Sequence, residues 1–311
     1  MSQWPIVFMG TPEAAAISLE CLLKGPDPVV GVVTQPDRPA GRGQQRTPSP
    51  VQRVAERHHI PVLAPEKIRD PAFLITLKGW APELIVVVAY GRILPSSILD
   101  LPPQGCLNVH YSLLPKYRGA APIAWAILGG EEKSGVTTMR LVEKMDAGPI
   151  LFQEEVSLAP DETADSLEAK LIPIGARLLL ETIHRLKDGS ITPKPQREEE
   201  VTYAPILKKE DGKIDWSQPA KAIERRVRAL YPWPSAYTYL KGKLLKIYRA
   251  AVITVEERGI SGEIVRADRQ GLWISTGHGA LSLEEVQLEN RKRLPAAEFL
   301  KGARIEKGDR L

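Results

Sequence analysis

Two hydrophobic periods take turns along the first half of the chain. Residues 6–10 (IVFMG) are an unbroken apolar run that stops at Gly-Thr-Pro-Glu. Thr11 suits a helix N-cap and Pro12 a first helical turn, and residues 14–23 then carry apolar side chains at helical spacing. Residues 29–34 form a second apolar strand, 51–58 a helix and 61–63 a short extended piece. Residues 84–89 are a β-branched run of the kind covered on both faces. Residues 93–99 read as a short turn or helix, 106–110 as a strand, 123–128 as a helix, and 136–142 and 150–156 as strands. A long helix over 163–187 places Leu167, Leu171, Ile174, Leu178 and Ile183 on one face. Pro173 inside it should kink or split it.

Strands alternating with helices predict an α/β fold with a doubly wound, mostly parallel sheet, which binds ligands beyond the carboxyl ends of its strands. The first turn lacks the G-x-G-x-x-G pattern, so no NAD or FAD is expected. Residues 189–205 (GSITPKPQREEEVTYAP) are polar and proline-bearing and read as a linker packed along the surface. The pattern then changes to a short basic helix at 220–230 and strands at 236–240, 244–253, 262–266, 272–276 and 280–286. Short strands at that spacing predict a small OB-like β-barrel. The expected organisation is a catalytic domain over 1–188, a linker over 189–205 and a barrel over 206–311.

Composition narrows this picture. With 311 residues, 43% hydrophobic and 26% charged, the chain suits a soluble two-domain protein. No apolar run approaches the roughly 20 residues of a membrane span, and the first residues lack a signal-peptide pattern. Cys21 and Cys106, with no C-x-x-C and no histidine cluster, read as reduced, buried thiols of a cytoplasmic protein without a metal site. Charge is uneven. Residues 1–205 hold 21 Lys/Arg and 24 Asp/Glu, whereas residues 206–311 hold 21 and 14. A basic C-terminal third can attract a polyanion, although Lys-rich solvated faces account for the same excess.

Candidate chemistry collects in three places. Asn108 and His110, two apart, share one face at the carboxyl end of a strand. A capped strand end is the plain explanation, but the Ser-Leu-Leu-Pro turn that follows favours a site. Asp146, in Met-Asp-Ala-Gly, sits in a turn between strands and can orient a histidine, while Asn108 offers a neutral donor to a developing oxyanion. Residues 35–51 (QPDRPAGRGQQRTPSPV) carry Arg38, Arg42 and Arg46 on a stretch whose prolines and glycines argue against any regular element. It reads as an arm that grips phosphates or as a solvated loop.

Taken together, FMGTPE, TQPDRPAGRG with TPSPV, VVVAYGRILP, NVHYSLLPKYRGAAPI, GVTTMRL, MDAG, VTYAPILKKEDGKIDW and RALYPWPSAY resemble the methionyl-tRNA formyltransferase family over nearly the whole chain. The resemblance implies a Rossmann-like catalytic domain and a C-terminal OB-like barrel. It implies formyl transfer from 10-formyltetrahydrofolate, as co-substrate, to methionyl initiator tRNA by a monomer without metal. Asn108, His110 and Asp146 correspond to the catalytic triad, with Asn108 and a protonated His110 expected at the oxyanion. Ser112, Leu113, Leu114 and Pro115 correspond to the folate-binding segment. Arg38, Arg42 and Arg46 correspond to the arginine loop at the tRNA acceptor stem, Arg42 above all. Arg225, Arg226, Arg228, Lys241, Lys243 and Lys246 are candidates for RNA contact in the barrel. Tyr111 departs from the family, which usually has a small residue there, so its ring must point away from the folate or reshape the pterin pocket. The alternatives are a formyltransferase acting on a sugar-nucleotide amine or glycinamide ribonucleotide, and a non-catalytic RNA-binding protein.

Overall fold

The computed structural model describes residues 2–40, 45–255 and 259–311, with the side chains of 38–40 and 45–46 not described. The chain forms two compact units.

The first unit comprises Met1–Pro122, Lys133–Ser157 and Ala169–Pro205. Its strands are β1 (Ile6–Gly10), β2 (Val29–Val33), β3 (Arg38–Ala40), β4 (Gln45–Thr47), β5 (Val62–Leu63), β6 (Leu84–Val88), β7 (Cys106–His110), β8 (Arg118–Gly119), β9 (Lys133–Arg140), β10 (Ile150–Ser157) and β11 (Tyr203–Ala204). The main sheet runs β10-β9-β7-β6-β1-β2-β5. The pairs among β5, β2, β1, β6 and β7 are parallel, while β9 pairs antiparallel with both β7 and β10. Crossovers run through α1 (Glu13–Leu22), α2 (Pro50–Arg57), α3 (Pro71–Gly79) and the short α4 (Ser96–Leu99). The all-apolar runs of β1 and β6 are buried throughout, as strands covered on both faces must be.

Several local expectations change. Helix α1 is capped by Pro12 rather than Thr11. The extended Pro12 places its carbonyl to accept from Ala15 and Ala16, and Thr11 Oγ1 instead accepts from the Gln35 amide at 3.4 Å. Part of the arginine stretch, expected to be irregular, pairs as antiparallel strands β3 and β4, with Pro39 opposite Arg46. A two-stranded ribbon has only edges, so a proline there forfeits no central ladder bond. Helix α5 (Pro122–Gly129) falls where the 123–128 pattern expected one, and helix α6 (Ala164–Lys187) is not split, since Pro173 lies within one continuous helix of 24 residues. Pro173 is exposed, so the carbonyl it leaves unbonded can face water. Helix α3 was not anticipated, and Cys21 is half-buried rather than buried.

The second unit comprises Ile123–Glu132, Leu158–Glu168 and Ile206–Leu311. Its antiparallel sheet has the order β12-β13-β16-β15-β14, made by β12 (Ala236–Leu240), β13 (Lys243–Ile253), β14 (Ile264–Asp268), β15 (Gly271–Ser275) and β16 (Ala280–Leu288), with β17 (Leu294–Pro295) added to β16. The amphipathic α7 (Ala220–Ala229) buries Ile223 and Val227 in a core shared with Trp216, Leu245, Ile247, Ile264, Leu283 and Phe299, the last from α8 (Ala296–Gly302). Among the described residues no helix is long and apolar enough to cross a membrane.

The packing of α6 on β7 decides where the unusual Tyr111 goes. Val109 and the buried Tyr111 project to the face opposite Asn108 and His110. A Cβ at Gly175 of α6 would stand 3.1 Å from both Val109 Cγ1 and Tyr111 Cε1. The ring therefore sits against the helix, in space that the glycine leaves open. Replacing Gly175 gains about 1 kcal/mol of helix propensity at most, less than the upper range of about 1–3 kcal/mol for overpacking. Gly175→Leu should therefore lower the denaturation midpoint, and Tyr111→Ala in the same chain should restore part of the loss.

Candidate active site

The site grows from the carboxyl end of β7. Asn108 lies between Val87 of β6 and Met139 of β9, and His110 lies opposite Thr137. Both are buried, at 9% and 6% exposure. Their shared face follows from the two-residue strand period. They sit one strand away from the β1–β6 junction, where the sheet's winding reverses and ligand crevices open.

Beyond His110 the chain turns sharply, and the turn is tied down from within. Ser112 Oγ donates to the Lys116 carbonyl at 2.7 Å. Buried Thr137 donates to the Ser112 carbonyl at 2.6 Å and accepts from the Leu114 amide at 3.2 Å and from Gln153 Nε2 at 2.9 Å. Gln153 also donates to the Leu114 carbonyl at 2.8 Å. Thr137 thus uses its one proton and both lone pairs. Residues 112–115 form a braced wall, with Leu113 and Pro115 half-buried and Leu114 buried.

His110 meets two acceptors. Its Nε2 donates to the Tyr117 carbonyl at 2.9 Å, and since a carbonyl only accepts, this nitrogen carries a proton. Its Nδ1 stands 3.7 Å from Asp146 Oδ2. That same carboxylate oxygen accepts from the Gly119 amide at 2.8 Å. Asp146 has φ +50°, in the left-handed region uncommon for residues with a Cβ. Gly148, closing the same turn, has no alternative, because a Cβ would stand 1.8 Å from the Arg140 carbonyl. The structure therefore brings Asn108, His110 and Asp146 together on the two elements that the sequence pattern named.

The segment read as a linker is part of this site. β11 pairs parallel with β8, and Thr202 accepts from the Tyr117 amide through Oγ1 and from the Arg118 amide through its carbonyl, both at 2.9 Å. Arg118 is wholly buried. Its Nε donates to Gln196 Oε1 at 2.9 Å and its Nη2 to Glu198 Oε1 at 3.0 Å. Lys144 also donates to Glu198 at 2.8 Å, and the bonds from Lys144 and Arg118 hold that carboxyl below the ordinary range. Gln196 Nε2 donates to the carbonyls of Asp146 and Gly148 at 2.8 and 2.7 Å. Gln196, Glu198 and Thr202 were missed because a proline-bearing polar stretch reads as linker. The one available signal was Arg118, a charge in an apolar setting that needed an acid from somewhere.

Arg38 and Arg46 lie on β3 and β4, and Arg42 falls outside the described residues. In the second unit, several basic candidates are engaged internally. Arg226 donates to the Asp211 carbonyl, and Arg228 binds Glu224 and the Glu162 carbonyl. Arg225 fills the space beside Gly130, and Lys241 pairs with Asp309 at 2.9 Å. Lys243 is exposed and Lys246 half-buried. Burial pushes the Cys106 thiol up to about 12, which makes it an inert packing group.

A sequence model of the formyl transferase family matches residues 5–183, and one of the formyl transferase C-terminal domain matches residues 206–304. The fold is shared with the N-formyltransferase from Helicobacter canadensis solved with folinic acid and dTDP-3-aminofucose, at TM-score 0.65 and 20% identity over 90% of this chain and 99% of that one. It is also shared with HypX from Aquifex aeolicus solved with tetrahydrofolic acid, at TM-score 0.62 and 21% identity, where 96% of this chain spans 47% of that longer one. The formyl transferase class is thus defined by fold and sequence alike. Methionyl-tRNA formyltransferase from Geobacter sulfurreducens (strain ATCC 51573 / DSM 12127 / PCA) is 48% identical over 98% of this chain and 96% of its own. The chain belongs to the methionyl-tRNA formyltransferase family.

The bracing of the 112–115 wall can be tested without turnover. Thr137→Val keeps the shape and removes every polar contact, leaving buried peptide groups unpaired at about 1–3 kcal/mol. Chemical denaturation should show a loss of that size, and an unchanged midpoint would mean that the wall stands without the hydroxyl.

Proposed function

We propose that this chain transfers the formyl group of 10-formyltetrahydrofolate to the α-amino group of methionine on initiator tRNA. The observation that carries this reading is the meeting of Asn108, His110 and Asp146 at the carboxyl end of β7 in a chain 48% identical to a methionyl-tRNA formyltransferase. The neutral amine attacks the formyl carbon, the bond from that carbon to folate N10 breaks, and one amine proton passes to N10. An α-amino group has a pKa near 8, so a useful fraction is already neutral at pH 7. Negative charge grows on the formyl oxygen, and the Asn108 amide donates to it. Such a donor is worth about 3–4 kcal/mol where it has been measured. Tyr117 engages Nε2 of His110. The proton that this ring exchanges is carried at Nδ1, beside Asp146.

The donor fits the braced turn. Leu113 and Pro115 offer apolar surface to a pterin, and Tyr111, packed on α6, leaves that side open. Ser112 shapes the wall through its bond to Lys116 and offers no free hydroxyl proton. Catalysis belongs to residues 1–188, the strap at 189–205 completes the site, and the basic residues of 206–311, on an OB-like barrel, draw in the tRNA. Arg38, Arg42 and Arg46, from the 35–51 stretch, grip its phosphates. A sugar-nucleotide or glycinamide ribonucleotide transferase has no use for that arginine arm together with a basic C-terminal unit. A mere RNA binder has no use for the triad.

Incubation with 10-formyltetrahydrofolate and charged initiator tRNA should yield formyl-methionyl-tRNA, and formylation of a sugar-nucleotide amine in its place would overturn the assignment. Asn108→Ala, His110→Ala and Asp146→Ala should each cut turnover by about a hundredfold or more while tRNA affinity is kept. Near-normal turnover in His110→Ala would remove that residue from the mechanism. Arg42→Ala should raise KM for tRNA and flatten its salt dependence. A change confined to the folate parameters would assign the arm to the wrong substrate.

A further inference from the structure

Asp146 holds its place by contacts made at both ends of the residue. Its carboxylate receives the Gly119 amide, and its carbonyl receives Gln196 Nε2 at 2.8 Å, which also reaches the Gly148 carbonyl at 2.7 Å. The two acceptors belong to one turn, whose first residue is left-handed and whose last tolerates only glycine. Gln196 spans that turn like a staple. Its amide orientation is decided by a third partner. Arg118 Nε can only donate, and it stands 2.9 Å from the other amide atom, which must be the oxygen. The NH₂ end is thereby aimed at the two carbonyls. Arg118 cannot rotate freely, being wholly buried and bonded to Glu198 as well.

We infer that Gln196 is a positioning residue for Asp146, with Arg118 setting its amide, so that the strap at 194–204 works as part of the catalytic machinery. The inference rests on the proposed transfer reaction for its kinetic arm only. Displacing a reacting group by about 1 Å can cost about a hundredfold in rate, and Gln196 holds two carbonyls of the turn around Asp146 at once.

Gln196→Glu tests this selectively. The carboxylate still accepts from Arg118, but it sets oxygen against the carbonyls of Asp146 and Gly148. If Gln196 served only as a hydrogen-bond acceptor for buried Arg118, Glu would be harmless. As a positioning residue, Gln196→Glu should match Gln196→Ala, lowering kcat by about tenfold or more with KM for both substrates little changed. In an Asp146→Ala chain, Gln196→Glu should change kcat by less than about twofold, because the carboxylate it positions is gone. Hydrogen exchange at the Gly119 amide reads the Asp146 carboxylate without turnover, and it should quicken by about tenfold in Gln196→Glu at an unchanged unfolding midpoint. Gly119 exchange at the wild-type rate, or a full-size kinetic loss persisting in Asp146→Ala, overturns the inference. A wild-type chain that forms no formyl-methionyl-tRNA overturns the proposed function instead, and the exchange result still decides the role of Gln196.

Discussion

A guanidinium with no solvent access is the constraint around which the site is organised. Arg118 cannot shed its charge, and a buried charge left unpaired costs several kcal/mol. Its partners must therefore be brought to it. They come from nearly eighty residues further along the chain, where Gln196 and Glu198 take two of its donors and Thr202 takes the neighbouring backbone amides. Pairing Nε and Nη2 of one arginine thus draws a polar strap across the carboxyl end of β7. The β8–β11 ladder and the Gly119 amide that meets Asp146 both follow from that placement.

The result is a site whose movable parts are few. The strand holds Asn108 and His110, Thr137 and Gln153 brace the 112–115 wall, and two turns meet at Asp146. The proposed catalysis by preorganised donors would depend on this rigidity, because dipoles already in place need no reorganisation when charge develops. The second unit is built differently. On α7 Arg228 is ion-paired with Glu224, and Arg226 and Arg228 spend further donors on the backbone carbonyls of Asp211 and Glu162, so part of the basic surface of the C-terminal third is already engaged.

Much of this was legible beforehand. The doubly wound alternation, the strand carrying Asn-x-His and the turn carrying Asp146 rest on short-range rules. These are a two-residue strand period, a helical period, and turn chemistry set by glycine and proline. The short strands of the second unit were located within about two residues for the same reason. Helix α3 was not, since its apolar residues lack a clear stripe, and Thr11 looked like a cap because a cap is read from residue type rather than from where Pro12 points its carbonyl.

The amino-acid sequence by itself determined the order of elements, the family, and which side chains stand at the end of β7. Only the tertiary structure decided that Tyr111 turns its ring to Gly175, that Nε2 of His110 is held by Tyr117, and that a stretch resembling a linker closes over Asp146. Each of these is a pairing between residues whose partner is chosen by burial and hydrogen-bond valence. Local pattern states what a residue can offer, but not which distant group will accept it. In CLNVHYSLLPKYRG the polar strand end could be read directly, whereas the buried arginine near its close became intelligible only with Gln196 and Glu198 beside it.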